Sequence, residues 1–545
     1  MLKTPFTILL AASTFSTVFS QKFTKSDFQN FRIADSNAIV AHEAFERSIQ
    51  CTYAWLAQAD PKSGLIPENM QAGRDNWIIH NSAADNFPFL ALASYILDKK
   101  LYNSKIKAIL EQEIKLCSRL GKLPDSYSFS KGGFMREYID TAQIIFGAAE
   151  YMKDGLVPLT EYTGYTHFTK RMIDLINELQ KHMVIAQNIK GYFYGNSVDM
   201  EINGDLLQIL CRLYWLTKNE RYLKWAIRIG DYYLLDNRLL NAEKIRLRDH
   251  GSEIIGGLSE LYLTVHFKNK ALKEKYKPAL NAFLDKILAV GINQHGMFYN
   301  EVNLKTGEII DNNIADTWGY IYNAYYTLYL IDGKNEYRYA ILKALSNLPN
   351  NYNNFNWENG SSDGYADAIE GAINFYQREP QLVQLKSWID SEIKIMWNMQ
   401  GKANKQNPSL GKGMIEGWHG DGNFIRTSIM YGLMNTSNAT LPDWNSNVKL
   451  GATLSNGTLF VTISSDIAYQ SKFCLSENKA SSILNFPIDY PRINQFPNWF
   501  SVETNKVYIL IDGKNIQKLK GKDLVKGYNF RINPNQKLYF KIYSQ

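Results

Sequence analysis

Between about residue 36 and residue 436 the chain alternates between two kinds of helical pattern, and this alternation limits the available folds more than any other feature. One kind is amphipathic and rich in Lys and Glu, over 37–58, 101–119, 166–187, 219–234, 270–289, 335–347 and 380–399. The other is richer in apolar and small residues, over 83–97, 138–152, 203–217, 251–266, 315–331, 364–377 and 422–435. A helix with one apolar stripe has a face to give to solvent, whereas a helix apolar around most of its circumference must be surrounded. The spacing therefore predicts helical hairpins, each an exposed outer helix followed by a buried inner one. The inner patterns begin near Ser82, Glu137, Ile202, His250, Ile314, Asp363 and Asp421. Such units cannot bury their apolar faces alone, and the economical arrangement is an α/α toroid of six or seven hairpins, with an open superhelical solenoid as the alternative.

Near Leu441-Pro442-Asp443-Trp444 the helical pattern stops. Short alternating runs follow at 459–463, 507–511 and 538–543, with turn signals at Asn456-Gly457 and Asp512-Gly513, and they predict a C-terminal β-sandwich over 446–545 that supports the ring or contacts polymer. At the other end, residues 1–20 hold one Lys, an apolar and small-residue run, and Val18-Phe19-Ser20 before polar residues, the pattern of a secretory signal peptide. The expectation is a toroid over 21–440 in a secreted or periplasmic protein with no membrane span. Cys51, Cys117, Cys211 and Cys474 are far apart and read as free thiols. A net charge of +7 suits an acidic substrate, but it is too diffuse to predict a nucleic-acid partner.

The stretches leading into the inner helices share a chemistry. They carry Trp77 and His80 in the first, Tyr194 in the third, and Arg248, Asp249, His250 and Glu253 in the fourth. Asp316 and Trp318 follow in the fifth, Trp357, Asp363, Tyr365, Asp367 and Glu370 in the sixth, and Glu416, Trp418, His419 and Arg426 in the seventh. A closed ring would gather all of them at one end. Asp363, Asp367 and Glu370 stand at i, i+4 and i+7, one acidic face of one helix, where mutual repulsion makes them costly. Asp363 or Asp316 as a helix cap, and Arg426 neutralising Asp421 or Glu416, are the plainer alternatives.

Hydrolysis of a glycosidic bond needs two carboxyl groups, one protonated and one ionised, and crowding raises the pKa of some members of a cluster. The candidate catalytic residues are Asp367, Glu370, Asp363, Asp316 and Glu416. Trp77, His80, Tyr194, Arg248, Asp249, His250, Glu253, Trp318, Trp357, Tyr365, Trp418, His419 and Arg426 are candidates for substrate binding, the aromatic residues for sugar rings and Arg for a uronate carboxylate. GxSxG, HExxH, Walker, GxGxxG and EF-hand patterns are absent, and so are the acidic clusters of terpenoid cyclases, so no metal or cofactor is expected.

In the Asp363-Gly364-Tyr365-Ala366-Asp367-Ala368-Ile369-Glu370, Asp316-Thr317-Trp318-Gly319-Tyr320 and Arg248-Asp249-His250-Gly251-Ser252-Glu253 stretches the chain resembles exported bacterial carbohydrate-active enzymes with an α/α toroid and a β-sandwich. Among them it is most similar to the unsaturated glucuronyl hydrolases and exo-β-glucuronidases. It departs from the six-hairpin ring usual for the former in having seven lead-in stretches. The resemblance implies a secreted glycoside hydrolase, exo-acting on a uronic-acid-containing glycan. A polysaccharide lyase using Tyr365, His250, His419 and Arg426 for β-elimination, or a glycan-binding protein without turnover, are the alternatives.

Overall fold

A computed structural model describes residues 23–182, 184–185, 192–193, 200–235, 238–401, 413–513 and 515–545. The stretch read as a signal peptide and Tyr194 lie outside the described residues, and so does the side chain of His250.

Among the described residues seven helical hairpins follow one another. Their outer helices are α1 (Lys25–Leu56), α3 (Lys107–Cys117), α5 (His167–His182), α7 (Glu220–Leu234), α9 (Lys270–Val290), α11 (Asn335–Asn351) and α13 (Val383–Trp397). The inner helices are α2 (Phe87–Leu97), α4 (Thr141–Glu150), α6 (Met200–Thr217), α8 (Glu253–Lys268), α10 (Trp318–Asp332), α12 (Ser362–Arg378) and α14 (Asn423–Thr436). The two kinds differ in burial as their patterns require. Helix α9 buries one stripe, with Tyr276, Leu280, Phe283, Leu284 and Ile287, while α8 is buried without a break from Glu253 to Val265.

Each inner helix packs on the next, α6 on α8, α8 on α10, α10 on α12 and α12 on α14. Helix α14 then meets α2, and α1 lies along α14, so the last hairpin closes on the first. The fold is an α/α toroid with seven hairpins, one of the two numbers the sequence left open. The closure is tight: a Cβ on Gly422 would sit 2.0 Å from the carbonyl oxygen of Asp85. No helix among the described residues is long and apolar enough to cross a membrane.

Two inner helices are interrupted by wide turns, Ile79–Asn86 ahead of α2 and Tyr151–Leu156 after α4. These two π-helical stretches pack on each other, with Gly155 against Pro88 and Ala84. An extra residue per turn rotates the side chains that follow, and such insertions are frequent at functional sites.

The C-terminal part contains β1 (Val448–Ser455), β2 (Thr458–Ser465), β3 (Tyr469–Phe473), β4 (Val507–Ile511), β5 (Ile516–Lys520), β6 (Tyr528–Ile532) and β7 (Gln536–Ser544). A five-stranded antiparallel sheet runs in the order β1-β2-β7-β4-β5, and β3 pairs with β6 as a second layer. Asn456 and Gly457, both with positive φ, turn β1 into β2 as the tight two-residue hairpin requires. Period-2 alternation serves both faces of the sheet. Leu459, Val461 and Ile463 share a core with Phe473 and Phe530, while Phe460 points the other way onto Phe31 of α1.

Between β3 and β4 the chain leaves the sheets. Ala480, Leu484, Phe486 and Tyr490 join the core of the ring rather than that of the β layers. Tyr490 donates to Glu260 of α8 at 2.9 Å, where Arg212 of α6 also pairs, and Gln377 near the end of α12 donates to the carbonyl of Asn498. At these residues the segment lies against the middle and C-terminal parts of α6, α8 and α12.

Candidate active site

The starts of the inner helices, with the two π-helical stretches, surround a cavity of about 290 Å³. Asp249 and Glu253 line it from the start of α8, Tyr320 from α10, Asp363 and Asp367 from α12, and Asp421, Asn423 and Arg426 from α14. Asn81, Asp85, Lys153, Asp154, Glu358, Trp418 and His419 also belong to the wall. Helix N-termini carry partial positive charge, which helps to offset so dense a set of carboxyl groups.

Asp367 and Arg426 form its central pair. Arg426 donates to Asp367 at 2.6 Å, and the Tyr320 hydroxyl reaches the same Asp367 oxygen at 2.8 Å. Arg426 also donates to Asn423 and Asn494, both at 2.8 Å. Glu370, one turn deeper, is fully buried at 3.1 Å from Arg426. It accepts from Tyr320 at 2.9 Å and from the Asn494 backbone N–H at 2.7 Å. Burial, outweighing the nearby Arg426, pushes its carboxyl up to about 7. One phenolic hydrogen cannot serve two carboxylates at once, so a proton on Glu370 completes this set of bonds.

Asp363 accepts from Asn423 at 2.7 Å. Burial, and then repulsion from Asp367, Asp421, Glu358 and Asp85, holds its carboxyl well above the ordinary range. Ser361, not Asp363, caps α12 by accepting from the Gly364 N–H, which leaves the Asp363 carboxyl to the cavity. Asp421 is pushed up by burial as well, opposed by its bonds from Ser362 and from the Phe424 N–H.

On another wall Lys153 is 2.6 Å from both Asp154 and Glu253, and Gln208 holds the second oxygen of Glu253. Behind them Glu150 is buried close to Asp154 and Asp205, and burial first, with repulsion from Glu150 beside it, raises both aspartates well above their usual range. Asp249 and Glu358 stand at positive φ, 51° and 44°, uncommon for such residues and frequent at functional sites. Glu358 accepts from Arg248 at 2.9 Å, and Asp249 from Arg246 at 2.8 Å. Trp418 is 87% exposed at the rim, and His419 lies 3.7 Å from Asp85. Among the described residues no group of His, Cys, Asp and Glu is arranged to hold a metal ion.

Of the candidates from sequence, Asp363, Asp367, Asp249, Glu253, Trp418, His419 and Arg426 line the cavity. The others among the described residues need correction. Glu370 lies beneath the wall, and Asp316 is buried outside it, though close enough for Asp367 and Glu358 to raise its pKa. Glu416 accepts from the Met70 N–H and bridges Gly420, which shapes the loop below Trp418. Arg248 is engaged by Glu358 and does not line the cavity. Trp77, Trp318 and Trp357 are almost wholly buried, Trp318 beside Phe375 and Trp357 beside Tyr352, because rings this large fill the space behind the helix starts. Tyr365 is 3% exposed and is part of the core, and His80 meets Gln143 and Phe146 away from the cavity. Arg426 pairs with Asp367 and Glu370, not with Asp421 or Glu416.

Sequence reasoning missed Lys153, Asp154 and Glu358. The first two leave a signal, an adjacent Lys-Asp pair that with Glu150 interrupts the otherwise apolar stretch from Ile144 to Val157. Glu358 leaves none, since its place depends on a left-handed backbone.

No family model matches the sequence, and no curated protein matches it. Distant likenesses exist among solved structures. A D-mannose isomerase is 11% identical over 76% of this chain and 99% of its own, with a TM-score of 0.40. A family 76 glycoside hydrolase (mannosidase) from Bacteroides thetaiotaomicron is 12% identical over 73% and 98%, with a TM-score of 0.39. A sugar epimerase from a ruminal bacterium is 13% identical over 57% and 86%, also at 0.39. These likenesses are too remote to bear on the activity.

Proposed function

We propose that the protein is a glycoside hydrolase that takes a chain end of a glycan into this cavity, with Asp363 as the proton donor and Asp367 as its carboxylate partner. The observation that carries the reading is a proton-holding Asp363 one helical turn from an Asp367 fixed by Arg426 and Tyr320. A carboxyl group that burial keeps protonated, next to one paired with a guanidinium, is an arrangement that can divide acid and base roles. Behind the wall Asn494 ties two lining residues, Arg426 and Asp154, together, and a wall joined in this way suits a chain end better than a polymer running through.

The cavity chemistry favours a neutral sugar over a uronate. Its two strongly basic side chains are each engaged by two carboxyl groups, Arg426 by Asp367 and Glu370 and Lys153 by Asp154 and Glu253. Sugar hydroxyls can donate to the remaining carboxyl oxygens, whereas a uronate carboxylate would meet repulsion. Elimination by a tyrosine is disfavoured because Tyr365 is buried, and Tyr320, the tyrosine that reaches the cavity among the described residues, is already bonded to two carboxyl groups.

The test is turnover of a panel of aryl glycosides, neutral pyranosides beside the glucuronide. A neutral member is expected to release its aglycone, and D363N and D367N to lower kcat by about 10²–10⁴. Turnover of the glucuronide alone would refute the neutral-sugar reading, an ultraviolet-absorbing unsaturated product would indicate a lyase, and unchanged kcat in both variants would remove the hydrolase.

A further inference from the structure

Behind the cavity wall, one residue of the C-terminal segment bonds to three residues of the ring. Asn494 lies in the stretch between β3 and β4, is 2% exposed, and holds the left-handed conformation at φ 59°. Each of its polar groups except the carbonyl is spent on a different part of the ring. The backbone N–H donates to Glu370 of α12 at 2.7 Å, and Oδ1 accepts from Arg426 of α14 at 2.8 Å. Nδ2 lies 3.3 Å from both the carbonyl and the carboxyl oxygen of Asp154 in the second π-helical stretch.

Arg426 Nη1 has two acceptors, Asn423 and Asn494, while Nη2 reaches Asp367. The plane of a guanidinium is set by its whole fork, so losing one of the two acceptors on Nη1 loosens the hold on Nη2 as well, although Asn423 and Glu370 remain. From this geometry we infer that Asn494 is a positioning residue for the reaction: the C-terminal segment fixes the Arg426–Asp367 pair, so the site is completed only when that segment is docked under the ring. The inference deepens the proposed function and rests on it for its kinetic readout.

Its neighbour provides the control. Gln495 is equally buried, but its side chain meets Arg378 and Asp489, away from the cavity. Q495A removes two bonds of the segment distant from Arg426 and leaves Asn494 in place. N494G keeps the positive φ without strain and removes only the amide side chain.

The experiment compares kcat, KM and melting temperature for the full-length protein, N494G, N494D and Q495A on the aryl glycoside that the wild type turns over. Expected are a fall in kcat of about 10–100-fold for N494G with KM within about twofold, and recovery of at least about tenfold in N494D, which retains an acceptor for Arg426. For Q495A, a lower melting temperature with unchanged kcat is expected. Equal kcat in N494G and wild type, or equal losses in N494G and Q495A, would overturn the inference. If N494G does not fold, N494S, whose hydroxyl is too short to reach Arg426, carries the same expectation. If the wild type turns over no glycoside, the proposed function fails separately, and a crystal structure of N494G decides the positioning: displacement of the guanidinium from Asp367 supports it, and retention of the 2.6 Å bond overturns it.

Discussion

The Asp363 carboxyl is buried among like charges, and the proton it keeps is held there in part by Asp421. Replacing Asp421 with Asn removes one repelling charge but keeps a side chain able to accept from the Phe424 N–H and cap α14. The folded-state pKa of Asp363 then falls, and the alkaline limb of the kcat profile of D421N is expected at lower pH than in the wild type. An unmoved limb would show that another group supplies the proton. Glu392, buried in outer helix α13, offers a second test free of the reaction. Burial pushes its carboxyl up to about 7, and only one of its oxygens has a hydrogen-bond partner, the Asn354 N–H at 2.9 Å. Because the folded pKa lies above the unfolded one, the native protein binds the extra proton between pH 4.5 and about 7, and its stability declines as pH rises through that window. E392Q is expected to melt higher than wild type at pH 8, by at most about 3 kcal/mol, and no higher at pH 4.5. A difference that does not depend on pH would refute this account.

At the level of elements, the contact of the α14 lead-in with the first π-helical stretch joins the ends of the ring. Gly422 has an ordinary backbone conformation, so its requirement is space: a Cβ would meet the Asp85 carbonyl at 2.0 Å and the Asn86 Cα at 2.8 Å. Backbone cannot yield as a side-chain tip can. G422A is expected to cost about 1–3 kcal/mol in urea unfolding and to lower kcat/KM, because Asp85 and Asp421 on either side of the contact both line the cavity. A variant of wild-type stability would show that the ring closes elsewhere. The seven hairpins were legible because burial needs differ between one-sided and all-round apolar helices, a property carried by each segment alone. The π-helical stretches were not legible, since an extra residue per turn is stabilised by packing of Gly155 on Pro88, a contact 67 residues apart in the chain.

The ring and the β layers are joined both by the segment between β3 and β4 and by α1. Tyr490, Phe486 and Leu484 belong to the ring's core although they lie beyond three of the β strands, and α1 buries Phe31 on the sheet's outer face. Cutting the chain after residue 440 would expose this apolar underside and strip Glu260 of Tyr490. Calorimetry of the full-length protein is expected to show one cooperative transition, and the 1–440 fragment to aggregate or melt well below it. Two separate transitions, with a soluble and active fragment, would show that the ring stands alone.

Helix alternation, the switch to period-2 pattern after residue 440, and the acidic face of Asp363, Asp367 and Glu370 could be read from the sequence because each follows from neighbours a few positions apart. Which carboxyl groups reach the cavity could not. Depth along α12 sets Glu370 beneath Asp367, ring volume draws Trp318 and Trp357 into the core, and a left-handed turn brings Glu358 inward. Asn494, 68 residues beyond Arg426, reaches it only because the chain doubles back under the ring. Local pattern determined the elements and their solvent-facing sides. Only packing in three dimensions decided which of their polar groups share a cavity, because that depends on contacts between segments that no single segment encodes.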